Sequence, residues 1–556
     1  MTTADMLADE LVEVITDEDP LLASMFGIRD ADSAMPDLSV GACDAVRARA
    51  SDIVTRARAL DDAALPAVDR VTKAMVEQQA EAVCHRIDSR AAEYTVTDFF
   101  VAPAARAMYF LPRVTVTDTA QAEAYLARLA KFRGYLSTAA QRHVDGTDAG
   151  RPPVARLVDS ATTQLDRALA LGADDPLLHP LRQDGLETYA EQGRRLLESE
   201  IRPAMASYRA VIGKIALHAR PDERPGLCWI ADGEPIYASL IRVHTDAHRS
   251  TEDLHQTGRE HVANLHAEIA RSGEKLFGTS DVAEIFHRLR FDQRLRWHDG
   301  EEMLEAARVA VAKAEVEAPK WFAVVPEQRC VVEAVPPAQD AAIPSGTYLM
   351  PSPEGQRPGT FFTNITRPTE RFRYSCETVA FHEGVPGHHF QVTRAQGLSH
   401  LPMLRRLPLS TAYVEGWALY TERLADEMGL YSDELSRMGM LVADVLRAVR
   451  LVVDTGLHAK GWSRSAAIDY VRANTVLPDV EVEAEVNRFI GLPGQALAYM
   501  VGRLEISRIR AAAEAALGDR FDIRTFHDTV LNGGTLPLAV LADVVDDWTK
   551  SLLEQR

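Results

Sequence analysis

Residues 382–389 read HEGVPGHH, inside a helical pattern that runs from about Tyr374 to Arg394. A second stretch, EGWALY at 415–420, lies on the next helical run. Together they offer two imidazoles, one carboxylate ligand and one spare carboxylate. A catalytic zinc takes such a set: three protein ligands, with a fourth position open. Glu383 is the spare carboxylate and the natural base for a water molecule.

The spacing departs from the common H-E-x-x-H pattern, in which i and i+4 share one helix face. Position i+4 from His382 is Pro386. In an undistorted helix His388 would point about 120° away, and His389 would sit about 10 Å along the axis. Pro386 lacks an N–H and crowds the preceding turn, while Gly387 tolerates angles that other residues avoid. A kink there brings His388 alongside His382, which makes these two the expected ligands. His389 is then a contact to a ligand or to substrate, or replaces His388 as the second imidazole. The third ligand is expected to be Glu415. Ser410 can cap its helix, and the surroundings, Tyr413 to Leu419, are apolar or small. A carboxylate buried there requires a partner or a metal. Glu422 lies seven residues on, on the same face, and competes for the role. Its neighbours Thr421 and Arg423 point instead to a solvated or ion-paired side chain.

Around this segment the chain reads as mainly α. Residues 1–320 are rich in strong helix formers and form an expected helical scaffold lobe. A helix opens at Thr117-Asp118-Thr119, another near Ser250, and Leu186–Ala216 is periodic, broken only by Pro203. Nine of the 28 prolines fall between Pro319 and Pro368, where helix cannot persist. Three short strands are expected there, at 330–335, 346–350 and 360–365, with turns at Pro344-Ser345-Gly346 and Arg357-Pro358-Gly359. Phe361–Ile365 is the candidate exposed edge. Residues 321–556 would then be the catalytic lobe, with helices near 410–428, 431–458, 463–474, 494–517 and 536–553, and stops at Gly429 and Gly461. The length of 556 residues favours two lobes with a central cleft.

A formal charge of -20 argues against nucleic acid or an anionic membrane as partner. The N-terminal stretch MTTADMLADELVEVITDEDP carries acids where a signal peptide has bases, and no window is long enough for a membrane span. Five scattered cysteines argue against a disulfide framework, so a cytoplasmic location is expected. Oligomeric state is not legible.

HEGVPGHHFQ and EGWALYTE resemble a bacterial domain-of-unknown-function family, DUF885, of zinc-metallopeptidase-like proteins that look like the gluzincins. YASLIRVHT (237–245), GTYLMPSPEGQRPGTFFTNI (346–365), RLVVDTGLHAKGW (450–462) and PGQALAYMVGRLEI (493–506) are similar to its other motifs. The resemblance implies His382, His388 and Glu415 as ligands of one Zn2+, and Glu383 as general base. Tyr499 becomes the candidate oxyanion donor, and Asp454 and His458 a pair that orients a ligand imidazole. Arg242 and Arg503 are candidates for holding a substrate carboxylate, and Arg242 with His244 for a cleft wall. The expected activity is zinc-dependent hydrolysis of peptide bonds in short peptides. The alternatives are a zinc amidohydrolase acting on a non-peptide metabolite and a non-catalytic peptide-binding protein on a peptidase scaffold.

Overall fold

The structure is a computed structural model that describes residues 2–172, 174–247, 249–336, 345–352, 355 and 357–554. It is mainly α-helical with one three-stranded sheet. Several helices begin where a side chain accepts an unpaired N–H group of the first turn. Asp118 accepts from the Gln121 amide at the start of Thr119–Ala130, and Ser250 from Asp253. The run from Glu187 to Ile215 is interrupted one turn before Pro203, by a π-helical turn at Leu197–Ile201. Proline at 203 cannot donate to the carbonyl of Ser199, and a widened turn absorbs the loss.

Eight helices position the site. They are α1 (Gly233–Thr245), α2 (Thr251–Phe277), α3 (Cys376–Glu383), α4 (His388–Gln396), α5 (Thr411–Glu427), α6 (Glu434–His458), α7 (Asp479–Gly491) and α8 (Ala498–Leu517). Ser410 caps α5 as expected, and Gly429 and Gly461 take φ of +69° and +70° just past the ends of α5 and α6. The larger apolar core takes residues from both sides of residue 320, among them Leu11, Val76, Leu265, Trp417 and Leu451. A second cluster, including Tyr125, Phe132 and Tyr208, lies within the first 212 residues. Helices α2 and α6 touch where Gly258 leaves no room for a side chain: a Cβ there would stand 2.7 Å from Leu451 Cβ.

The sheet comprises β1 (Val331–Ala334), β2 (Gly346–Leu349) and β3 (Thr360–Thr363), in the order β1-β3-β2. Strand β3 pairs parallel with β1 and antiparallel with β2. Phe361–Thr363 is therefore central, correcting the expectation of an edge. The reason is burial: Thr360, Phe361 and Thr363 are buried, whereas all of β2 is partly exposed. Pro344, expected in a turn, lies outside the described residues.

Two further differences concern helices. The segment 374–394 is two helices, and α7 was not anticipated. The sequence reading places no element between 474 and 494, yet Val482, Val486, Phe489 and Ile490 are buried at helical spacing and Val480 is 81% exposed.

Candidate metal centre

The bend between α3 and α4 creates the site. The chain leaves α3 at Glu383, turns through Gly384–Gly387 with a cis Val385–Pro386 bond, and re-enters helix at His388. Gly387 passes so close to the end of α3 that a Cβ would stand 1.9 Å from the His382 carbonyl oxygen and 2.4 Å from that of Phe381. Only glycine fits such an approach of two backbones. Trp417 on α5 donates its indole N–H to the Pro386 carbonyl at 3.0 Å, tying the bend to the helix that carries Glu415.

His382 and His388 now face one another edge to face, with ring centroids 4.8 Å apart. Glu415 Oε2 lies 3.7 Å from His382 Nε2 and 3.5 Å from His388 Nε2. Among the described residues this is the one group of three His, Cys, Asp or Glu side chains whose ligand atoms all lie within 4.8 Å of one another. Bonds of about 2.1 Å in a tetrahedral arrangement separate donors by about 3.4 Å, so an N2O set of this size fits zinc. Glu383, half-buried at the end of α3, makes no hydrogen bond or ion pair with any described residue.

Of the two roles expected for Glu422, solvated or ion-paired, the structure shows the second, with Arg447 at 3.6 Å. Glu422 is 1% exposed, and its Oε1 accepts from His382 Nδ1 at 2.8 Å. The neighbours Thr421 and Arg423 point to other faces of α5, while Glu422, two turns after Glu415, stays under His382. Its contact turns the free Nε2 of His382 toward Glu415, the arrangement by which carboxylates orient metal-binding imidazoles. Replacing Glu422 by Gln is expected to weaken zinc binding by about 10–100-fold, measurable by competition with a chelating dye.

Asp454 and His458 do not make that contact, which corrects their expected role. Asp454 accepts from the Tyr237 hydroxyl at 2.5 Å and the Gly494 amide at 3.0 Å, and burial lifts its pKa to about 7. His458 accepts from the Leu227 amide, donates to the Phe489 carbonyl, and is pushed down to about 3 by burial. Asp454 pins α6 to α1 and to the loop before α8, and His458 pins it to the turn before α1 and to α7. Arg447 reaches Glu422 from α6, and Asp454 lies about 10 Å farther along that helix.

His389 points away from the candidate ligands. Its Nδ1 accepts from the Tyr348 hydroxyl at 3.1 Å and its Nε2 donates to the Gln328 carbonyl at 2.9 Å, so both ring nitrogens are occupied. Tyr499 is nearly buried, and its oxygen accepts from Arg488 at 3.1 Å. Helix α8 comes close to α5 because Gly416 and Gly502 meet, where a Cβ on Gly416 would be 2.5 Å from Gly502. Arg503 is paired with Asp444 at 3.0 Å, and Arg242 lines a groove of about 840 Å³ against Lys73, Asp246 and Lys550, away from His382, His388 and Glu415. His244 is held down to about 4 by burial. Arg447, which reaches Glu422, and Arg488, which acts on Glu415 and with Arg450 shares Glu485, were not anticipated. The i, i+3 pair of Glu485 and Arg488 on α7 was the available signal.

Burial disfavours a charge on His382, but hydrogen bonds to Glu415 and Glu422 outweigh it and hold the imidazole up to about 10. Burial likewise opposes the Glu415 charge, and the two imidazoles hold its pKa well below the ordinary carboxylate range. A metal takes neutral imidazole, so a zinc ion bound here would have to displace the His382 proton. That proton is held below about pH 10, so zinc affinity should rise with pH across the neutral range. The expected slope is about tenfold per pH unit for each proton released. Calorimetry in buffers of different ionisation enthalpy counts the protons.

No helix among the described residues is long and apolar enough to cross a membrane. Comparison with curated proteins finds none that matches. Two solved structures are similar over nearly the whole chain. One, described as a "putative lipoprotein" from Colwellia psychrerythraea, is 26% identical with a TM-score of 0.90, covering 99% of this chain and 100% of that one. The other, a "putative lipoprotein of unknown function" from Shewanella oneidensis, is 16% identical with a TM-score of 0.76, covering 98% and 100%, and shows the fold alone. Residues 20–545 match the family described as "Bacterial protein of unknown function (DUF885)", and the chain belongs to that family.

Proposed function

We propose that this protein is a zinc-dependent hydrolase that cleaves the amide bonds of short peptides. The observation that supports the reading is the convergence of His382, His388 and Glu415, with an unpaired carboxylate, Glu383, at the adjoining helix end. These three side chains would hold the metal. When bound, zinc supplies Lewis acidity at an amide carbonyl and acidifies water toward neutral pH. Glu383 takes a proton from the attacking water and passes it to the departing amine nitrogen as the C–N bond breaks and the new C–O bond forms. Tyr499 accepts from Arg488, which leaves its own proton free to be donated to the carbonyl oxygen as charge collects there.

The presence of Glu383 favours catalysis over a purely binding role, since a binder uses ligands but no base. A non-peptide amide substrate would call on the same residues and differ only in what surrounds them. The reading includes a cytoplasmic setting, supported by five free cysteines, although the two similar structures are described as lipoproteins. It also includes no nucleic-acid partner, in view of the charge of -20.

The test is digestion of a mixed peptide pool, read by mass spectrometry, before and after stripping with a chelator. Cleavage should disappear with the chelator and return with zinc. A zinc-reloaded protein that cleaves no member of the pool would contradict the proposal.

A further inference from the structure

Three guanidiniums form one group, Arg447 and Arg450 on α6 and Arg488 on α7: Arg447 reaches Glu422 under His382, Arg488 acts on Glu415, and Arg450 shares Glu485 and Tyr499 with Arg488. Their ion-pair partners among the described residues are two carboxylates. Glu485 serves both Arg450, at 2.8 Å, and Arg488, at 3.3 Å. Glu422 lies 3.6 Å from Arg447, through the same oxygen that accepts from His382. The remaining contacts are neutral. Arg488 donates to the Gln495 side chain at 2.7 Å and to the Tyr499 hydroxyl at 3.1 Å, and Arg450 lies over the Tyr499 ring at 4.6 Å. Arg447 donates to the Ala443 carbonyl at 3.1 Å, and its Nε is buried with no acceptor.

Cations withdrawn from water are costly unless matched by anions, and here the two close carboxylates are shared, Glu485 between Arg450 and Arg488 and Glu422 between Arg447 and His382, with Glu415 and Asp444 adding negative charge at longer range. Zinc at His382, His388 and Glu415 would take up the Glu415 charge and leave the guanidiniums less fully matched. The side chains of Arg488 and Arg447 remain 21% and 17% exposed, whereas that of Arg450 is 7% exposed. The first two can therefore meet a ligand. Arg450 is a positioning residue, holding Tyr499 and Glu485 in place. Arg488 interacts electrostatically with Glu415 and touches Tyr499, so an anion bound to it would lie on the side of the site where Tyr499 is proposed to act.

We infer that Arg488, assisted by Arg447, is a recognition site for a substrate carboxylate, and that the substrates are peptides presenting a carboxylate close to the scissile amide. The inference rests on the hydrolase reading only for what happens after binding. The carboxylate can be the C-terminus of the peptide or an acidic side chain. A guanidinium reads either one through paired N–H donors.

The test measures binding, in zinc-loaded Glu383→Gln protein, so that turnover does not enter. Three probes are titrated by calorimetry: penta-alanine with a free C-terminus, its C-terminal amide, and an amide with Glu at the last position. A carboxylate is expected to tighten binding roughly 30-fold over the plain amide. Preference for the free acid identifies the C-terminus as the source, and preference for the glutamyl amide identifies the side chain. Either preference should collapse in Arg488→Gln and return in part in Arg488→Lys. Equal binding of all three probes would overturn the inference, as would a preference that survives Arg488→Gln. The hydrolase reading fails separately, if the wild-type zinc protein cleaves none of the probes or pool peptides while the binding preference is intact.

Discussion

Glu383→Gln protein is expected to bind zinc as tightly as wild type and to turn over peptides about 10²–10⁴-fold more slowly. Glutamine keeps the size and polarity of the side chain and loses the proton-accepting carboxylate. Glu383 is not among the three converging side chains and is unpaired at the end of α3, so its removal leaves the candidate ligands and their partners in place. Binding and chemistry should therefore separate: kcat falls, while KM and zinc content stay near wild type. Steady-state kinetics on a peptide from the cleaved pool, with metal analysis of the same preparation, checks both halves. An equal rate in the variant would remove Glu383 as the base.

Gly387→Ala is expected to damage both the fold and the metal site. The added Cβ would meet the carbonyl oxygens of His382 and Phe381 at 1.9 and 2.4 Å. Those atoms belong to the last turn of α3 and cannot rotate aside as a side chain does. The bend must open instead, carrying His388 away from His382. Overpacking of this kind costs about 1–3 kcal/mol, and a displaced ligand should add at least a tenfold loss of zinc affinity. Gly429 is the control. It has φ of +69° and open space around it, so alanine there is strained but touches nothing. It should lower stability by about 1 kcal/mol and leave zinc binding alone. Thermal unfolding of both variants, with and without zinc, distinguishes the two cases. Only Gly387→Ala should lose most of the stabilisation that zinc confers on the wild type.

The centre of the site was legible because its determinants are local. Proline and glycine inside a helical run announce a bend whatever lies around them. Glu415 is flanked by apolar residues and follows a capping serine by five positions, which marks both its helix and its burial. The partners of these residues were not legible. Glu422 could be placed on the same face as Glu415, but its role depends on which ring α3 lays across it. Asp454 and His458 share a face by spacing, and spacing says nothing of what that face meets; it meets Tyr237, Gly494, Leu227 and Phe489. The sheet was located correctly along the chain but its middle strand was taken for an edge, because the order β1-β3-β2 does not follow the sequence. Helix α7, with Glu485 and Arg488, starts after Pro478 with no side-chain cap, so no capping side chain marks its start.

The central claim is that His382, His388 and Glu415 hold one zinc ion. Crystals of the zinc-loaded protein, measured on both sides of the zinc absorption edge, test it most directly. The account predicts a single anomalous peak per chain, at about 2.0–2.2 Å from His382 Nε2, from His388 Nε2 and from a Glu415 carboxylate oxygen. A peak on His389, a peak remote from Glu415, or no peak from fully loaded protein would contradict it.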